Sequence, residues 1–318
     1  MRMSDRSEID VAMRLVAWLN AERATVLLLM TLLAAWLPLT RAWRAARGTA
    51  LRPMLIWGGL AVGLATVAQV CGLVEPLGTG RPWMGRFTYL SALASLASLL
   101  SALNARTPGE GAWALLMAML IVVFLIPWLE EPGRFRQAQE LRILRLDAPW
   151  TIFFILVAGT GVTNYLPTRY GPAAILLGIG YALEYLGLTH AGLPPDARVA
   201  AWSGFSWCLA LAIWIGYGRA RARPVQAAGA AQALNRSWFW FRDHWGVVWG
   251  LRIAERFNKS AELSKWPCRL GWFGIAMIGE DHDSTKTDQA PIPEVAVSTF
   301  RGLLRRFAKP ERLEEIGD

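Results

Sequence analysis

The chain has 318 residues, 54% of them hydrophobic and 18% charged, whereas a typical soluble domain carries about a quarter charged residues. Its formal charge is +9, and in so apolar a chain the natural counterpart of that charge is the anionic lipid head group, not nucleic acid. Three cysteines (Cys71, Cys208 and Cys268) with no CxxC pair exclude a disulfide framework and a zinc-ribbon spacing.

Residues 1–23 mix acids and bases (Asp5, Arg6, Glu8, Asp10, Arg14, Glu22, Arg23) and read as an amphipathic segment, without the basic start and small-residue cleavage site of a signal peptide. A membrane-spanning helix needs about 20 apolar residues. Seven runs qualify: 24–40, 54–74, 87–105, 111–129, 148–166, 172–190 and 201–218. The first is the shortest, contains Pro38 and reads as a retained anchor. The expected fold is an all-α integral membrane helix bundle of about seven transmembrane helices over residues 24–218. A linker at 219–236 would follow, and then a small, basic, aromatic-rich extramembrane domain, α or α+β, at 237–318.

With seven spans, residues 41–53, 106–110, 167–171 and the C-terminal region share one side. Arg41, Arg44, Arg47 and Arg52, with Arg219, Arg221 and Arg223 after the last run, assign that side to the cytoplasm; Arg134, Arg136, Arg142 and Arg145 pull the other way. The expected location is a bacterial inner membrane with the C-terminus cytoplasmic.

In the third run Ser91, Ser95, Ser98 and Ser101 share one helix face, which suits either a packing seam between helices or a polar path. The turns in 101–118 and 161–178 echo each other, with Asn104 and Asn164 in corresponding places, yet Asn, Pro and Gly are also what any tight turn uses.

Glu184 is the one acid deep inside a run. A carboxyl at that depth costs on the order of 2–3 kcal/mol on insertion scales, so it needs a partner or a proton. Gln69, Asn164, Arg169, Tyr181 and His190 are the candidate partners. Gly180 and Gly187 beside it would admit a neighbouring helix closely. The acid is then either a proton or cation relay or ligand contact, or a structural hydrogen bond.

In the tail, Trp238, Phe241, Trp245, Val248 and Trp249 follow helical spacing, and Arg252 and Arg256 extend the stripe. The stripe suits contact with lipid or a partner groove, or the core of a small domain closed by a strand in 268–278. Glu280, Asp281, His282 and Asp283 read as a solvated loop. Residues 293–309 read as a basic amphipathic helix with Val297, Phe300, Leu303, Leu304 and Phe307 on one face and Arg301, Arg305, Arg306 and Lys309 around it, for the membrane surface or for packing on the tail. No HExxH, GxSxG, GxxxxGK[ST] or GxGxxG occurs, and no metal, cofactor or catalytic set is expected. The chain reads as a non-enzymatic scaffold or complex subunit whose C-terminal domain docks on lipid or a membrane-protein partner. The alternatives are a proton-coupled transporter centred on Glu184 and, third, a membrane enzyme acting on a lipid-like substrate.

Overall fold

The computed structural model describes residues 22–75, 81–104, 119, 121–123, 125–126, 148–189, 193–221, 230–277 and 292–317. The 1–21 segment, most of the 111–129 run, His190 and the acidic 280–283 stretch lie outside them.

Six helices form the bundle among the described residues: α1 (Glu22–Ala45), α2 (Arg52–Val74), α3 (Pro82–Ser101), α4 (Ala148–Thr163), α5 (Gly171–Thr189) and α6 (Pro195–Arg221). Four of them, α1, α2, α5 and α6, are long and apolar enough to cross a membrane, and α4 is apolar but shorter. Their outer faces show Leu27, Met30, Leu60, Val67, Ile155 and Ile179 to the surroundings, as lipid contact requires. This is compatible with a membrane protein; seven spans are not seen among the described residues.

Helix α3 is the central one, in contact with α2, α4, α5 and α6. It carries a strip of serines, three of which reach its neighbours. Ser91 donates to the carbonyl of Ala61 at 2.7 Å and Ser98 to that of Met54 at 2.7 Å, both on α2. Ser95 pairs with the Tyr181 hydroxyl of α5 at 2.8 Å, and Ser101 donates to Ala97 at 2.6 Å. Three of the four hydroxyls therefore bond a neighbouring helix and Ser101 bonds its own, which favours the seam over a polar path.

Two details set the bundle's ends. Helix α1 continues past Pro38 to Ala45, with an interruption at Ala35, just upstream of the proline whose missing N–H removes a ladder bond. Glu75 accepts from the backbone N–H groups of Trp83 and Met84 at 3.0 and 3.2 Å, capping the start of α3. Beside it the buried Arg81 pairs with Glu22 of α1 at 3.1 Å.

The C-terminal domain consists of α7 (Ala230–Leu263), the antiparallel hairpin β1 (Cys268–Gly271) and β2 (Gly274–Met277), α8 (Glu294–Leu304) and α9 (Pro310–Gly317). Helix α7 begins at Ala230, inside the stretch read as a linker. Asn258 holds the hairpin to α7, accepting from Leu270 N–H at 2.7 Å and donating to the Leu270 carbonyl at 3.0 Å.

The aromatic stripe is the domain's core, which corrects the expectation that Trp238, Trp245 and Trp249 touch lipid or a partner. Trp238 and Trp245 are fully buried, and Trp249 is nearly so. Phe241 stacks on Trp245 with centroids 5.2 Å apart, and Phe307 meets Phe241, Trp245 and Trp249 edge-on. Phe300 of α8 packs on Trp238 and Phe257. The apolar face of the amphipathic helix is thus spent on its own domain, because indole and phenyl area is worth most where water is fully excluded. Arg252, Arg256, Arg301, Arg305 and Arg306 remain exposed.

Candidate functional site

Glu184 sits between two close approaches of α5 to α6. A Cβ on Gly180 would lie 2.9 Å from Cys208 Cβ, and one on Gly187 would lie 2.8 Å from Trp202 Nε1. The glycines therefore do what their spacing implied, and the face carrying Glu184 is fully enclosed. Neither carboxyl oxygen has a hydrogen-bond partner among the described residues. The expected partners are bonded elsewhere: Gln69 donates to Ser206 at 3.0 Å, and Tyr181 is held by Ser95. Asn164 and Arg169 belong to a different site altogether. The Tyr89 phenol of α3 lies within electrostatic range of the acid. A buried acid with no partner is a net cost, so Glu184→Gln is expected to leave the unfolding midpoint in detergent unchanged or raised, by up to about 2 kcal/mol. A clear drop in that midpoint would show that the carboxyl makes a structural bond.

The polar groups converge at the end of the bundle, where its turns meet α7. Helix α7 breaks at Gly246, with φ 76° and ψ −166°. Asn164, in the turn between α4 and α5, fills the break. Its carbonyl accepts from Val247 N–H at 2.9 Å, its Oδ1 accepts from Val248 N–H at 3.1 Å, and its Nδ2 donates to the Trp245 carbonyl at 3.3 Å. One asparagine thus satisfies the backbone groups on both sides of the break, which buried backbone demands. The turn read as ordinary is a docking plug.

Two further loops join the same face. The Trp249 indole donates to the carbonyls of Ala102 and Leu103 at 3.2 Å, in the 3-10 turn Ala102–Asn104. The loop after α1 pairs with the segment after α8: Ala50 N–H donates to Phe307 at 2.9 Å and Lys309 N–H to Gly48 at 2.8 Å. Ala46 and Leu51 are buried within the domain's own core.

Arg169 and His244 complete the joint. Asp243, nearly buried, sits 3.3 Å from Arg169 Nε and 2.8 Å from Arg242 Nη2. Arg242 also donates to the Trp272 carbonyl at 2.9 Å, and the Trp272 indole reaches the Pro167 carbonyl at 3.3 Å. The Tyr165 hydroxyl donates to the His244 carbonyl at 3.2 Å. His244 Nδ1 lies 2.7 Å from the Trp240 carbonyl, which can only accept, so Nδ1 carries the proton. Nε2 then faces the Tyr170 hydroxyl at 3.5 Å, the outer limit of a hydrogen bond. Asp243, His244 and Arg169 thus link the 164–170 turn to α7 through ion pairs and hydrogen bonds.

Burial, reinforced by Arg169 and opposed by the Trp240 hydrogen bond, pushes the His244 imidazole down from 6.5 to about 4. The folded joint holds it neutral, so its contribution is complete above pH 6.5 and is lost as the pH falls from 6.5 towards 4, where only the unfolded chain takes up the proton. By pH 5 the loss is on the order of 2 kcal/mol. Unfolding midpoints recorded from pH 7 down to pH 5 should fall in the wild type and fall less in His244→Asn.

A cavity of about 410 Å³ opens between α1, α5, α6 and α7, walled by Pro38, Leu39, Leu99, Ala174, Leu177 and Ile213 among others. At its edge Arg41 and Arg221 both donate to the Tyr217 hydroxyl, Arg221 from 3.2 Å, and both lie over the Tyr217 ring. Tyr170, Asp243, His244 and Arg312 face it from the joint. Of the residues singled out in the sequence, the structure therefore brings together Asn164 and Arg169, and leaves Gln69, Tyr181 and Glu184 in the bundle interior. Gly246, Asp243, His244 and Tyr217 carry as much of the site; the only trace of them in the sequence was a glycine interrupting an aromatic helical stripe. Among the described residues no group of acids, histidines and cysteines is arranged to hold a metal. Comparison of the chain with family models, curated proteins and solved structures finds no match.

Proposed function

We propose that this chain is a non-enzymatic membrane scaffold, a complex subunit whose C-terminal domain is a platform fixed rigidly to one end of a seven-span bundle. The observation that carries the reading is the insertion of Asn164 into the Gly246 break, since a domain meant to move freely would not close its main helix around a turn of the bundle. The loops at 46–51, 102–104 and 164–170 all meet the domain. That grouping supports seven spans, because one further crossing between residues 104 and 148 returns the chain to the side on which α4 begins. It also collects Arg41, Arg44, Arg47 and Arg52 on the domain's side, which supports a cytoplasmic C-terminus.

On this platform Arg252, Arg256, Arg301, Arg305 and Arg306 are exposed and offer basic contacts suited to an acidic partner protein. The test is cross-linking and copurification from native membranes. A stoichiometric partner is expected, lost when Arg252, Arg256 and Arg301 are changed together to glutamate. A wild-type protein that purifies alone would contradict the reading. The alternative of a transporter draws no support from the serine strip, whose hydroxyls are all bonded within the bundle.

A further inference from the structure

We propose that the cavity at the joint is a lipid site, which takes an acyl chain of an anionic membrane phospholipid and holds its phosphate between Arg41 and Arg221. This site is separate from the arginine surface of the platform and stands or falls independently of it.

The walls fit a hydrocarbon chain. Leu39, Leu99, Ala174, Leu177 and Ile213 come from α1, α3, α5 and α6, and the volume of about 410 Å³ falls in the ordinary range for small-molecule sites. The polar end fits a phosphate. Arg41 and Arg221 share a single acceptor, the Tyr217 hydroxyl, and neither has a carboxylate partner among the described residues. Two guanidinium groups gathered around one phenol repel each other, and a phosphate with several acceptor oxygens relieves the repulsion while matching their planar donors. Both arginines are exposed, so a head group can reach them from outside.

The position agrees with both ends. Arg41 lies near the end of α1 and Arg221 is the last residue of α6, where apolar helix gives way to the domain. A head group held there rests at the membrane interface while its chain reaches inward past Leu177 and Leu99. A free phosphate would satisfy the arginines but leave the apolar walls unfilled, so the geometry points to a lipid. Such a lipid would touch α1, α6 and α7 at once and so bind bundle to domain.

The test uses the full-length protein, delipidated in detergent and titrated with phosphatidylglycerol, phosphatidylcholine or glycerol 3-phosphate, with bound lipid counted by native mass spectrometry. Phosphatidylglycerol is expected to bind at one site per chain, at least about tenfold more weakly in Arg41→Gln/Arg221→Gln. Because both side chains are exposed, that variant should keep the wild-type unfolding midpoint. Ala174→Trp, which fills the apolar part, should lose the lipid, and Arg252→Gln/Arg256→Gln should bind it normally. Unchanged affinity in the Arg41/Arg221 variant would overturn the proposal. So would competition by glycerol 3-phosphate at the same concentration as the lipid, which would mark a small-anion site, or equal affinity for phosphatidylcholine.

Discussion

Replacing Gly246 with valine is expected to release the C-terminal domain from the bundle. The residue adopts φ 76° and ψ −166°, a region open in practice only to glycine. Space forbids the substitution as well: a Cβ would stand 2.3 Å from Asn164 Nδ2 and 2.5 Å from the Asn164 carbonyl oxygen. Those atoms belong to the turn that holds α7, and they cannot withdraw without giving up the bonds to Val247 and Val248. Backbone strain and clash together should cost about 3 kcal/mol or more. The simplest relief is for α7 to straighten into one continuous helix, which expels Asn164. Thermal unfolding in detergent should then show the domain melting separately from the bundle. Asn164→Ala should do less, about 1–2 kcal/mol, because the backbone bond from Val247 survives.

The second large effect is expected at Asp243. Its carboxylate is the acid between Arg169 of the bundle's turn and Arg242 of α7. Asp243→Ala leaves two guanidinium groups facing each other with nothing between them. Breaking a fully buried pair costs roughly 3–5 kcal/mol. Here Arg169 is 28% exposed, so solvent screens part of the penalty and about 2 kcal/mol is expected. Asp243→Asn should cost less, since the amide oxygen still accepts from the Arg242 guanidinium. Adding Arg169→Met to Asp243→Ala should recover part of the loss, which a double-mutant cycle on the unfolding midpoint would measure.

The bundle was legible in the sequence because a membrane helix announces itself by length and apolarity alone, and glycines at helical spacing from Glu184 announce a close approach. The seam role of the serines was legible too, as one of two uses for hydroxyls on a single face. The destination of the aromatic stripe was not. Trp238, Trp245 and Trp249 have the spacing of an amphipathic helix whether the apolar face meets lipid, a partner or its own domain, and only the arrival of Phe300 and Phe307 decides between them. Arg301 and its neighbours kept their exposure because the same helix has a second face.

The joint was hidden for another reason. Asn164 and Gly246 are 82 positions apart, and each alone has an ordinary explanation, a turn asparagine and a helix glycine. Their meaning lies in the pairing, which local pattern does not encode. The faint echo between the turns near Asn104 and Asn164 does find a physical use, since both turns are gripped by α7, one through Trp249 and the other through the Gly246 break.

Hydrogen exchange at Val247 and Val248 tests the rigid mounting most directly. Their amides are the donors to Asn164, directly after the break at Gly246. In the intact protein the peptide containing them should exchange slowly, comparably to the core around Phe257, and Asn164→Ala, which removes the acceptor of Val248 N–H, should speed exchange at Val248 by at least tenfold while leaving the Phe257 region protected. Fast exchange at Val247 and Val248 in the wild type, or protection that ignores the loss of Asn164, would contradict a domain held to the bundle by this plug.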